Sequence, residues 1–359
     1  MNELERALRE AEVPDAVAAR ERARQTVLAA HRPVRRRPRL ALVYAAIACA
    51  VAAVVFSARD TGPARAIERQ VRSVFAAPTP TLTPTATTLP GRLLVLDSGA
   101  LFVVRGGKRA EIGAGTDATW SPRGLFVAVA RGRTLAAVEP DDGKVRWRLR
   151  RPAAVQFPRW APGGLHIAYR SGGNLRIVYG NGQHDVLAGR KMAPVPAAWR
   201  PNEPRTVAWA AKDGAVTVED ADTAQVQWWH RDGPVRHLAW SSDGRRLLVA
   251  GVRNGTIHDF SGGEPARLGV PGRIVAVAFS RRLAIAAYDR GRTTVTIDGQ
   301  TVLTAPGRLR DLEWSPDGRR LLAGWPGADH WLVVRGDDVA AVRHRFAPDA
   351  RTRGWVASP

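Results

Sequence analysis

The side chains of this 359-residue chain that could do chemistry are 33 Asp and Glu, eight His and one Cys. No reaction centre can be assembled from their spacing. A serine nucleophile needs a Gly-x-Ser-x-Gly turn, a zinc hydrolase a His-Glu-x-x-His helix and a nucleotide site a glycine-rich loop ending in Lys, and none of these occurs. The lone Cys49 excludes an intramolecular disulfide or a thiolate zinc cluster. Asp141-Asp142 and Asp220-Ala221-Asp222 pair carboxylates that could hold a cation, but each lies in a turn sequence with no further ligand nearby, so solvated hairpin turns are the better reading. His31 precedes an apolar run, and His166, His184, His230, His237, His258, His330 and His344 are scattered over strands and loops. No catalytic residue, cofactor or metal site is expected.

The remaining chemistry is cationic. Lys and Arg number 54, the formal net charge is +21, and only Lys108, Lys144, Lys191 and Lys212 are lysines. From residue 92 onward 40 cations face 25 acids, a surplus of 15. Runs such as Arg146-Trp147-Arg148-Leu149-Arg150-Arg151 and Arg343-His344-Arg345 make Arg146, Arg148, Arg150, Arg151, Arg343 and Arg345 candidate contacts to an anionic surface. A GC-rich coding sequence also yields an Arg- and Ala-rich protein, and that reading stays open beside the functional one.

The elements that would carry these residues fall into two parts. In the first, residues 1–39 have helical spacing and end in a basic knot of Arg32, Arg35, Arg36, Arg37 and Arg39. Residues 40–58 are free of charge, and at ~1.5 Å per residue they extend about 28 Å, the hydrocarbon thickness of a bilayer. A single transmembrane helix is expected there, with Cys49 a small packing residue inside it. The heavier Arg content of the preceding flank places the N-terminus in the cytoplasm and the chain beyond residue 58 outside. Residues 59–76 read as a juxtamembrane amphipathic helix, and 77–91 as a Pro/Thr-rich stalk.

The second part, 92–359, is built of short β-rich runs with an internal period. An aromatic residue closing a strand recurs at Trp120, Trp160, Trp199, Trp240, Phe279 and Trp314, at intervals of 40, 39, 41, 39 and 35. A tight turn follows each one, most completely at Trp314-Ser315-Pro316-Asp317-Gly318, where Pro presets φ and Gly accepts a positive φ. A unit of about 40 residues holds four short strands, which is one propeller blade. The recurring ring is expected to pack neighbouring blades together. A further 41 residues leads to Trp355 near the C-terminus, a first strand with nothing after it. The strands missing from that blade lie at 92–113, so 353–358 and 92–113 together complete a seventh blade and close the ring. Six blades is the alternative.

The Trp-Ser-Pro-Asp-Gly element resembles the WD40-like propeller repeat of the TolB type, which implies an all-β propeller over 92–359. Asp141-Asp142-Gly143-Lys144-Val145-Arg146-Trp147 and Asp220 to Trp228 resemble the hairpin of quinone-type propellers. The cofactor centre and vicinal cysteines of those enzymes have no counterpart here, so that likeness concerns structure only. A short inside segment, one span, a stalk and an outside propeller together resemble actinobacterial anti-sigma-like regulators and envelope propeller proteins. The zinc-binding His and Cys-x-x-Cys set of many anti-sigma domains is absent from 1–39.

The leading functional expectation is a non-enzymatic platform in the cell membrane that binds a protein or an anionic envelope polymer outside the cell. An outside propeller disfavours nucleic acid as partner. One alternative is an anti-sigma-like regulator whose residues 1–31 bind a cytoplasmic partner. Another is a propeller hydrolase or lyase that uses loop carboxylates.

Overall fold

The computed structural model describes residues 83–84, 89–231 and 233–358. The chain divides into units Met1–Ala77 and Pro78–Pro359, and every described residue belongs to the second. The expected helical segment 1–39, span 40–58 and juxtamembrane helix 59–76 therefore lie outside the described residues, as does most of the stalk. Among the described residues, no helix is long and apolar enough to cross a membrane.

Seven antiparallel sheets form the propeller. From the axis outward, blade 1 comprises Asp117–Trp120, Val127–Arg131, Thr134–Val138 and Val145–Arg150, and blade 2 comprises Val155–Trp160, His166–Ser171, Asn174–Tyr179 and Val186–Gly189. Blades 3 to 6 repeat the pattern from first strands Ala198–Trp199, His237–Trp240, Arg273–Phe279 and Arg310–Trp314. Blade 7 takes its first strand, Arg351–Val356, from the C-terminus and the other three, Arg92–Asp97, Ala100–Arg105 and Lys108–Ala114, from the start of the domain. Ring closure thus joins the two ends of the domain by backbone pairing, with Arg92 opposite Val356 and Leu93 opposite Trp355. The ring has seven blades, not six.

The second strand of each blade is buried on both faces, as Val127–Ala130 and Thr206–Ala210 show, which is why these strands read as unbroken apolar runs. Hydrophobic clusters form between blades rather than within one. The cluster of Leu94, Leu101 and Ile112 with Trp120 and Val127 joins blades 7 and 1, and each of the other six junctions has its own cluster. Each sheet is covered by its neighbours, so no blade buries its faces alone.

The recurrent turn is self-capping. Ser315 Oγ accepts the N–H of Arg320 at 2.9 Å and Asp317 accepts that of Arg319 at 3.0 Å, while Gly318 takes φ +65. Ser241, Asp243 and Gly244 repeat this, with Arg246 N donating to Ser241 Oγ at 2.9 Å and Arg245 N to Asp243 at 3.1 Å. The serine hydroxyls hold the Asp317 and Asp243 carboxyls below the usual carboxylate range.

The repeating tryptophans link blades by a common rule. Four of the six indole N–H groups reach back to the backbone carbonyl just before the equivalent aromatic residue of the preceding blade. Trp199 donates to Arg159 O at 2.8 Å, Trp240 to Ala198 O at 3.1 Å, Trp314 to Ala278 O at 3.1 Å, and Trp120 to Gly354 O at 3.2 Å. Phe279 has no N–H to offer; Arg246 stacks over its ring at 5.2 Å. Trp355 donates instead to Pro90 O at 2.6 Å, and Leu89 packs into the same closing junction. Thr83–Pro84 pairs in parallel with Ala340–Ala341 on the outer edge of blade 6. The end of the Pro/Thr-rich segment is thus built into the ring. Trp160, at the junction of blades 1 and 2, is the remaining exception.

Candidate functional site

Trp160 closes the first strand of blade 2, yet its indole N–H turns into its own loop and donates to Gly164 O at 2.9 Å. The ring stacks on Phe126 of blade 1, centroids 6.4 Å apart at 18°. A cleft of about 710 Å³ opens between blades 1 and 2, with Leu125, Phe126, Trp147, Trp160, Pro162 and Leu165 in its lining. Leu125 is 54% exposed and Leu165 64%, an unusual solvent share for two leucines on facing loops. Arg123, Arg146 and Asn181 also line it, and Arg146 pairs with Glu139.

Glycine permits this geometry. A Cβ on Gly180 would stand 2.5 Å from Gly164 O and 3.3 Å from the Trp160 ring, and Gly180 O also accepts the Trp147 indole N–H at 2.8 Å. Trp147 belongs to the first of the two quinone-propeller-like hairpins, and that residue anchors the outer strand of blade 1 onto blade 2. Next to the cleft, a smaller pocket of about 320 Å³ shares Gly164, Leu165, Gly180 and Asn181 with it and reaches Tyr179, His166 and Asp222. Buried His166 Nε2 lies 2.8 Å from Asp222, and Arg205 lies 3.6 Å from the same carboxylate. Asp220 accepts the N–H groups of Asp222 and Thr223, both at 2.9 Å, which holds it below the usual carboxylate range. The Asp220–Asp222 pair is therefore a turn cap and an inter-blade contact. Among the described residues no group of His, Cys, Asp and Glu could hold a metal ion.

The same junction is bolted by charge. Asp185 of blade 2 receives Arg151 of blade 1 at 2.6 Å, Arg176 at 3.0 Å and the Tyr169 hydroxyl at 2.6 Å. Burial and the neighbouring Asp185 push the fully buried Tyr169 phenol upward. Arg151, one of the six candidate anion contacts, is thus committed to an internal ion pair. Arg146, Arg148 and Arg150 lie along the exposed face of the outer strand of blade 1, alternating with half-buried Val145, Trp147 and Leu149. Arg343 and Arg345 are exposed on and just after the outer strand of blade 6, so blade 7 separates the two groups.

The first strands enclose a central channel of about 700 Å³. On the side of blades 6, 7, 1 and 2, Arg353 and Arg159 flank Asp117 at 3.2 and 3.7 Å, and Arg351 lies 3.2 Å from Asp311. Asp311 occupies the left-handed region at φ +51, where the blade 6 register shifts. Burial and then Asp311 raise the Glu313 carboxyl to about 7, against the pull of Arg159 and Arg353. Burial lowers His237 on blade 4 to about 4.

The comparisons with known proteins agree with this architecture. The family described as "WD40: WD domain, G-beta repeat" matches residues 225–258, from the outer strand of blade 3 to the third strand of blade 4. No curated protein matches. Among solved structures, a chain of "Crystal Structure of Mitotic Checkpoint Complex" is similar at 19% identity and a TM-score of 0.55, covering 79% of this chain and 90% of that one. The chain is thus a seven-bladed propeller in which residues 225–258 match a WD repeat.

Proposed function

We propose that this protein is a non-enzymatic interaction platform whose blade 1–2 cleft takes an extended polypeptide segment with apolar side chains flanked by acidic ones. The observation that carries the reading is Trp160, whose indole leaves the inter-blade pattern where two exposed leucines face each other across an open trough. Burying a leucine side chain stabilises a complex by about 1.5–3 kcal/mol, so Leu125 and Leu165 alone could anchor a short segment. The surplus of 15 cations over 92–359, with Arg123 in the lining, favours acidic flanks. The similar solved chain belongs, by its title, to a complex.

The test is selection of a random twelve-residue peptide library on the full chain. Enrichment of aliphatic or aromatic residues flanked by Asp and Glu is expected, lost in Leu165→Asp and retained in Val252→Asp, a site away from the cleft. Selection that Leu165→Asp leaves unchanged rejects the cleft.

The Trp-Ser-Pro-Asp-Gly turn at Trp314–Gly318 supports a TolB-type assignment, and the charge-free run 40–58 behind a five-arginine knot supports a membrane anchor with the propeller outside the cell. External protease should then cleave the propeller on intact cells; protection until lysis would reverse the orientation. A second reading rests on the exposed row Arg146, Arg148 and Arg150, which suits an anionic envelope polymer. Binding of that kind should weaken steeply with salt, whereas peptide docking anchored in the apolar trough should weaken only modestly.

A further inference from the structure

The channel differs from the cleft in chemistry. Its charged side holds Arg159, Arg351 and Arg353 with Asp117 and Asp311, and Arg236 lines it from blade 4. Val275, Ala276 and Val277 of blade 5 form an apolar stretch elsewhere on the same wall. Two carboxylates are matched by arginines at 3.2–3.7 Å, which leaves a surplus of guanidinium charge and one carboxyl, Glu313, with no ion-pair partner among the described residues.

We propose that the central channel is a binding site for a small carboxylate with an apolar body. Its head lies toward Arg159, Arg351 and Arg353, beside the Glu313 carboxyl, and its body lies against the blade 5 stretch. The volume, about 700 Å³, is in the range of ligand pockets. The sign of the ligand follows from the charge count. Four arginines, Arg159, Arg236, Arg351 and Arg353, line the channel against three carboxyl groups, Asp117, Asp311 and Glu313, so an ammonium head meets net repulsion and a carboxylate net attraction. An anion placed there also disfavours ionisation of Glu313, as Asp311 already does, so binding takes up a proton. Asp311 on the same strand, Arg159 from blade 2 and Arg353 from blade 7 are the charged groups that act on Glu313.

The experiment is calorimetry on the full chain with benzoate, benzylammonium and acetate, in two buffers of different ionisation enthalpy. Benzoate should bind more tightly than acetate, and benzylammonium should not bind. Benzoate binding at pH 7.5 should take up a fraction of a proton and become roughly tenfold weaker between pH 6.5 and 8.5. Glu313→Gln should bind benzoate with no proton uptake and no such pH dependence, and Leu165→Asp should match the wild type. Equal binding of benzoate and benzylammonium, no benzoate binding at millimolar concentration, or the same proton uptake in Glu313→Gln would each overturn the proposal. None of these results bears on the cleft.

Discussion

Replacing tryptophans one at a time by phenylalanine tests whether the indole circuit fastens the blades together and is broken at the cleft. In Trp199→Phe the ring stays apolar but the N–H to Arg159 O, at 2.8 Å, is lost. Trp199 is only 8% exposed, so the carbonyl it leaves gains little water. The net hydrogen bond is worth about 1 kcal/mol, the unpaired carbonyl brings the cost to roughly 1–3, and the smaller ring leaves a void worth up to ~1 more. A loss of roughly 2–3 kcal/mol is therefore expected at Trp199 and, with a bond of 3.1 Å, slightly less at Trp240. Trp160 is partly exposed and bonds only within its own loop, so Trp160→Phe should cost about 1 kcal/mol or less. Urea unfolding reads this directly, as a shift in midpoint at unchanged m-value. Trp160→Phe costing as much as Trp199→Phe, or Trp199→Phe costing under ~0.5 kcal/mol, would refute the reasoning.

Asp185→Ala strands the Arg151 and Arg176 guanidinium groups at a site where the Asp185 side chain is 10% exposed, so a loss of roughly 3–5 kcal/mol is expected in the same assay. Tyr169→Phe removes one hydrogen bond of that cluster and should cost about 1–2 kcal/mol. Glu313, raised from 4.5 to about 7, holds its proton more tightly in the folded state, so its contribution is complete below pH 4.5 and is lost as pH rises through 7. His237, lowered from 6.5 to about 4, contributes above pH 6.5 and loses that contribution as pH falls toward 4. Thermal melts should therefore show Glu313→Gln gaining on the wild type between pH 5 and 8, and His237→Gln gaining between pH 6.5 and 4. Gly180→Ala forces Cβ toward Gly164 O at 2.5 Å, and a loss of about 1–3 kcal/mol with weaker peptide capture is expected.

The blades were legible because their signal is local. At Trp240 and Trp314 a serine, an aspartate and a glycine within four residues make the whole turn, so Trp314 to Gly318 announces a strand end before any partner is known. Closure was legible as well, because Trp355 repeats the period without strands of its own and 92–113 holds strands without a preceding tryptophan. What escaped depends on distant partners. Nothing beside Trp160 in the chain says that its indole turns to Gly164 while that of Trp199 reaches Arg159. Arg151 reads as one more cation in a basic run, and only the fold sets it against Asp185. The channel charges come from first strands as far apart as Asp117 and Arg353, which no motif links. Leu89 and Pro90 end a low-complexity tract, yet ring closure gives them a packing site and a donor.

The central claim is that the cleft between blades 1 and 2 is where this propeller meets its partner. A photo-crosslinking residue placed at Leu165, and separately at Val252, in the full chain within the cells that make it tests this most directly, since both side chains are exposed and only Leu165 lines the cleft. A discrete crosslinked polypeptide from position 165, absent from 252 and competed by the selected acidic-apolar peptide, is the expected result. The same bands from both positions, or none from 165 when 252 yields one, would contradict it.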